Sequence, residues 1–437
     1  MFYRSLLVFS LLLSSRNWAL SSFSPVTVSD PQLDSYLVEM HSSENGNVVL
    51  NWLTKYGANE RIESSQKSQN SSWSPSEPVS DWSEDIFRNC CYVNAKGELF
   101  AVWEEEKGQS FLCIAEKIEG KPWSYILNWL DKEFLTSDFL FDPRGKLIIV
   151  GTQTVPYKPL NSSKYSHEDT AEAIALSTKV PGQIKQKSEM LIQKGFYSLG
   201  VPKMSIDKNG MGYIVWEASK SGGKSLMCQQ IVDGHFNGEP EKICPLQGLI
   251  FDLEVVHNEK GDIAISYTAF VNHKINGYVL TKTENSWSQP FSIEGADGMK
   301  IAIDHLGNVM AVEESDSDGI RIIYKLIDQP WHNQSFFSSD NRAVWNEANV
   351  QVDGAGNFVV VWEQNQRNRF SILGSSFSTA NQAWSDIQQL SPQDQSCCDC
   401  VFSFWAPGKG HIAWVMTPNG FDRVIQVAEL VINPIGR

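Results

Sequence analysis

The phrase "QVDGAGNFVVVWEQN", residues 351 to 365, is one of eight near-copies along the chain, and this recurrence narrows the possible folds more than any other feature. The copies are HSSENGNVVLNW, VNAKGELFAVW, FDPRGKLIIVG, IDKNGMGYIVW, VHNEKGDIAISY, IDHLGNVMAVE, VDGAGNFVVVW and WAPGKGHIAWV. Their glycines in register are Gly46, Gly97, Gly145, Gly210, Gly261, Gly307, Gly356 and Gly408, at steps of 51, 48, 65, 51, 46, 49 and 52 residues. A period near fifty with one enlarged step marks a repeat protein. Three positions before the glycine stands Ser43, Asn94, Asp142, Asp207, Asn258, Asp304, Asp353 or, exceptionally, Trp405. Short polar side chains bond to the backbone of a tight turn, and glycine takes positive φ without a Cβ clash. Six positions after it stands Trp52, Trp103, Gly151, Trp216, Tyr267, Glu313, Trp362 or Trp414, the spacing a core shared between units needs.

A second phrase, built on Trp73, Trp123, Phe236, Trp287, Trp331 or Trp384, follows about half a period later. Each unit therefore reads as strand, Asx-Gly turn, strand, polar turn, strand, aromatic turn, strand; in the seventh the strands fall near 347–353, 357–363, 369–377 and 386–391. Four antiparallel strands per unit of this length predict an all-β, closed β-propeller of eight four-stranded blades, or seven if one degenerate unit forms no blade. Gly151 and Glu313, in the aromatic position, mark blades 3 and 6 as the irregular ones. Helical periodicity is confined to the N-terminus and "DTAEAIAL" (169–176). The eighth unit stops after "RVIQVAELV", so "SPVTVSD" (24–30) is expected to supply its outer strand against 424–431 and close the ring. Closure removes exposed sheet edges.

At the N-terminus, Arg4 and the apolar run from Leu6 to Leu13 precede polar residues and Ala19. This predicts a signal peptide over 1–22, a propeller over 23–437, and a secreted, periplasmic or cell-surface protein. No later segment has 18 consecutive apolar residues, so no integral membrane span is expected in the mature chain, which we expect to be a monomer. With 36 basic and 51 acidic residues the net charge is −15, a sign that repels phosphate backbones and argues against nucleic acid. In an exported chain the cysteines Cys90, Cys91, Cys228, Cys244, Cys397, Cys398 and Cys400 are candidates for local disulfides, Cys228 with Cys244 among them, or packed thiols; Cys113 has no evident partner. The two clusters are expected to precede the inner strands of blades 2 and 8.

"SGGKS" (221–225) lacks the glycine spacing of a phosphate loop and reads as a hairpin turn. Glu314, Asp316 and Asp318 have the alternation of a calcium loop, but Lys325 stands where its closing glutamate belongs. No HExxH or GxSxG occurs, and nothing calls for a cofactor. Glu104, Glu217, Glu314 and Glu363, seven after the glycine, are expected to be strand ends facing water.

The paired phrases, Asp-x-x-Gly-Asn with a Val-Trp strand and then Trp-Ser-x-Pro-x-x-Leu-Ser, resemble the repeats of exported bacterial propellers grouped with the sialidase-like proteins; the likeness is clearest around Trp216, Trp287, Trp362 and Trp384. It implies a propeller over most of residues 25–432. The arginine triad and Arg-Ile-Pro motif of true sialidases have no match here, the nearest segment being "IFRNC" with Arg88. The expected function is accordingly a binding or interaction module for a glycan or protein, with a glycan-processing hydrolase or lyase as the alternative. Loops between second and third strands and the blade-to-blade linkers share one face, where Trp82, Asp85, Arg88, Tyr157, Tyr165, Arg342, Trp345 and Asp394 are the candidate binding residues.

Overall fold

The structure is a computed structural model. It describes residues 18–434 apart from 107–109, 119, 127–133, 157–169, 181–186, 193–197, 221–222, 284–285, 316–318, 337–343, 367–368 and 419–421. The eight repeats form eight antiparallel sheets, each with four strand positions and no helix among the described residues. The seventh blade comprises Val344–Val352, Phe358–Gln366, Arg369–Ser378 and a fourth position split into Ala383–Trp384 and Gln388–Gln389. Residues 169–176, with their helical spacing, lie mostly in the strand Thr170–Lys179; their small apolar side chains are buried in the middle of a sheet, and that burial overrides local periodicity.

Each seam between neighbouring blades holds its own apolar cluster. Trp52 fills the seam of blades 8 and 1, Trp103 that of 1 and 2, Trp216 that of 3 and 4, Trp362 that of 6 and 7, and Trp414 that of 7 and 8; all five are at most 1% exposed. Replacing one by alanine would cost about 3–5 kcal/mol. In blades 5, 6 and 7 the aromatic phrase ties the outer strand backwards to the preceding blade. Trp287 donates its indole N–H to Glu241 at 2.9 Å, Trp384 donates to Gln334 at 3.2 Å, and Trp331 stacks on Phe291. Blade 6 lacks the aromatic. In its place at the sixth position Glu313, 1% exposed, pairs with Arg321, Oε1 lying 3.0 Å from Nε, while its Oε2 accepts from the backbone N–H of Asp297 at 3.0 Å, so a buried ion pair fills the position.

The turn chemistry follows the register. Asp304 Oδ1 accepts from the backbone of Leu306, Gly307 and Asn308 at 2.8–2.9 Å, and Asn94, Asp142, Asp207, Asn258 and Asp353 form the same kind of turn.

The N-terminal strand closes the ring. Trp18–Thr27 pairs antiparallel with Val424–Pro434, Val26 facing Val427 and Thr27 facing Gln426, and Val28 N–H then donates to Ile425 O at 3.0 Å. The strand starts earlier than the sequence led us to expect: residues 18–22 of the expected leader pair with residues 430–434, and Leu20 is 1% exposed against Val359, Val361 and Ile372 of blade 7. No helix among the described residues is long and apolar enough to cross a membrane.

Candidate functional site

The innermost strands line the central channel, and most carry an extra residue. Register slips occur between Tyr36 and Glu39, Phe87 and Asn89, Thr136 and Asp138, Phe251 and Glu254, Asn346 and Asn349, and Cys398 and Val401. Within these bulges Leu37, Arg88, Asp252, Glu347 and Asp399 adopt φ between 46° and 51°; in blade 6 the matching residue is Gly298, at 60°. All stand nine positions before the registered glycine. A non-glycine residue held there costs on the order of 1 kcal/mol or more, and such bulges re-aim side chains beside functional sites.

Two positions further on stand Glu39, Cys90, Asp138, Lys203, Glu254, Lys300, Asn349 and Val401. Their charges act on one another across blades. Burial raises the Glu39 carboxyl to about 7 even though Lys300, on blade 6, draws it down. Burial likewise raises Asp138, against the pull of Lys203, the Met204 N–H and Arg88. Lys300 Nζ meets Glu254 Oε1 at 2.8 Å; burial opposes the Lys300 charge, but Glu254 and Asp252 outweigh it and hold its ammonium above the usual range. Asp252 is raised by burial and by Asp297.

Where these strands begin in blades 4 to 6, the channel mouth opens into a cavity of about 460 Å³. Lys203, Glu217, Asp252, Glu254 and Lys300 supply its charges, and Ile250, Phe251, Leu253 and Met299 its apolar wall. Glu217 and the starts of three inner strands place it on the face of the blade-to-blade linkers. That volume and mixture suit a small-molecule or single-residue ligand.

The residues expected from sequence are placed otherwise, and none lines this cavity. Arg88 reaches the channel wall, 3.3 Å from Glu104 and 4.0 Å from Asp138, over the Phe139 ring. Trp82 is 39% exposed, and the Arg61 guanidinium lies 4.4 Å from its ring centre. Asp85 and Asp394 are exposed in linkers. Trp345 is placed only as part of the strand Val344–Val352, while Tyr157, Tyr165, Arg342, Asp316 and Asp318 lie outside the described residues, as does the Glu314 side chain. The glutamates expected to face water are half-buried or buried where described: Glu217 is 9% and Glu363 2% exposed, because each second strand ends against an inner-strand bulge. The cysteine clusters lie within the inner strands Ile86–Val93 and Ser396–Ala406 rather than ahead of them. All eight cysteines are free thiols; Cys228 faces Glu241, and Cys244 faces Leu226. Burial pushes Cys397 and Cys228 up to about 12 and Cys90, Cys91, Cys398 and Cys400 higher, so these thiols stay protonated and unreactive.

No family model and no curated protein matches the chain. Solved structures to which the chain is similar include a protein of unknown function from Dyadobacter fermentans DSM 18053, 10% identical over 95% of this chain and 99% of that one, with a TM-score of 0.45. An ulvan lyase bound to -[GlcA(1-4)Rha3S]- is 12% identical over 77% and 90%, with a TM-score of 0.44. A prolyl endopeptidase is 10% identical over 88% of this chain and 53% of that one, with a TM-score of 0.46. At these identities the likeness concerns fold alone.

The channel residues had a signal in the sequence: fixed offsets of nine and seven from each turn glycine. Their role was hidden because alternation alone assigns no bulge, and a bulge is what re-aims them.

Proposed function

We propose that the protein is an exported binding module that holds a hydroxyl-rich ligand, a glycan unit or a polar protein segment, at the linker-face mouth of its central channel. The observation that carries this reading is the 460 Å³ cavity, in which an ion pair, Lys300 with Glu254, and the exposed Asp252 stand beside Phe251 and Met299. Carboxylates and ammonium groups orient hydroxyls, and an aromatic ring packs against the apolar face of a sugar. Export rests on the N-terminal apolar run. The test is a glycan and peptide binding screen of the purified chain, followed by calorimetry on the hits with Asp252→Asn and Lys300→Ala. Loss of at least tenfold in affinity in both variants supports the assignment; unchanged affinity moves the site elsewhere.

A second reading, a glycan-processing enzyme, draws on the unequal surroundings of two neighbouring carboxyls. Asp252 is pushed toward the protonated form, while Glu254 is paired with Lys300, a division that suits an acid and a base. Product formation from a bound glycan, abolished by Asp252→Asn, would favour it over simple binding.

A further inference from the structure

Next to that cavity around the ring, blades 7 and 8 meet at three carboxylates that do not line it. Glu347 sits in the inner-strand bulge of blade 7, Glu363 at the end of that blade's second strand, and Asp399 in the inner-strand bulge of blade 8. One carboxylate oxygen from each lies within 4.8 Å of the other two. Glu363 is 2% exposed, and its Oε1 is buried with no hydrogen-bond partner. A carboxylate with an unpartnered buried oxygen beside two further carboxylates ionises only at a cost unless a cation compensates it. Burial, with the charges of Glu347 and Asp399, raises the Glu363 carboxyl to about 8, against the backbone N–H groups of Asp399 and Cys400. Lys300, which acts on Glu347, is held by Glu254 at 2.8 Å, and Arg423, which acts on Asp399, is clamped by both oxygens of Asp34 at 2.6 and 2.8 Å.

We propose that Glu347, Glu363 and Asp399 bind a hard divalent cation, calcium foremost, which pins blade 7 to blade 8. The three ligands are all carboxylate oxygens, the donor set of calcium rather than of zinc or copper. Oxygens on opposite sides of a calcium ion, each at about 2.3–2.6 Å, are about 5 Å apart, so one ion spans a cluster of this size. This site is separate from the calcium-like turn at Glu314, Asp316 and Asp318, and it joins two blades instead of closing one loop.

The test uses the full chain, stripped with chelator and titrated with calcium chloride and, separately, magnesium chloride, by calorimetry and thermal melting. Calcium is expected to raise the melting temperature by several degrees, with magnesium weaker. Glu347→Gln and Asp399→Asn should each weaken calcium at least tenfold. Glu363→Gln should abolish the binding heat while raising the melting temperature of the metal-free protein at pH 9, because it removes a carboxylate that ionises there beside Glu347 and Asp399. If the Glu363 variant does not fold, the exposed Glu347 decides. A wild-type chain that shows no calcium response, or a response unchanged in Glu347→Gln, overturns the proposal.

Discussion

Gly408 donates its backbone N–H to Asp353 Oδ2 at 2.8 Å, across the seam between blades 7 and 8. In the other seven blades the equivalent glycine N–H goes to a carbonyl of its own turn, as Gly356 N–H does to Asp353 O at 3.0 Å. Blade 8 has Trp405 where the others have a short polar residue, and there the preceding blade's aspartate, not the turn's own carbonyl, accepts from the glycine. Asp353 also accepts from Ala355 and Asn357. Asp353→Ala should therefore destabilise the protein by about 3 kcal/mol, more than one turn bond is worth, because it orphans donors in two blades. Urea unfolding checks this; a loss below about 1 kcal/mol would mean that water replaces the carboxylate at both turns.

Closure of the ring rests on the first described strand. Ile425 donates to Ser29 Oγ at 2.8 Å, and Leu20 packs into blade 7. Leu20→Ala should cost about 2–5 kcal/mol as a core truncation. If a leader is removed on export, the cut should fall before Leu20; intact-mass measurement of the exported chain reads it directly, and a mature N-terminus at Ser22 or later would contradict the pairing of residues 18–22.

The ion pair in blade 6 offers a different kind of test. Arg321→Met leaves Glu313 buried beside an apolar side chain, and loss of one partner of a buried pair costs about 3–5 kcal/mol. Replacing both residues, Glu313→Trp with Arg321→Leu, should recover most of that loss by restoring the aromatic seam of the other blades. Chemical denaturation of the single and double variants gives the comparison.

Two buried groups set opposing pH dependences. Glu39 has its folded pKa raised to about 7, so the folded protein binds more protons than the unfolded chain between about pH 4.5 and 7, and stability falls as pH rises through that window. Glu39→Gln should raise the melting temperature at pH 8 and leave it nearly unchanged at pH 4. His411, 4% exposed, is lowered to about 4 by burial and by Lys67; its contribution is full above about pH 6.5 and is lost as pH falls toward 4. His411→Gln should flatten the acid limb of the stability curve. Melting curves from pH 4 to 8 separate the two.

Thiol chemistry gives the last expectation. With all eight cysteines free and those in the channel strands held protonated by burial, a thiol reagent at neutral pH should label the native protein at well under the rate of a free thiol. Under denaturing conditions without reductant, eight thiols should titrate; fewer would mean that disulfides form in the exported chain.

The repeat period, the turn residues and the aromatic at the sixth position were enough to assign eight four-stranded blades and a borrowed N-terminal strand, because a periodic pattern read against fixed strand geometry admits few arrangements. Trp52, Trp216 and Trp362 were legible as seam residues from spacing alone. The channel was not. Whether Glu363 faces water or a neighbouring blade depends on a bulge at Asp399, thirty-six positions away in sequence and in another sheet. The same holds for Lys300 and Glu254, which come from successive blades and meet only when the ring closes. Local sequence sets which residues pair along a strand; the bulges and the closure of eight sheets around one axis decide which charges share a low-dielectric space, and that choice is made only in three dimensions.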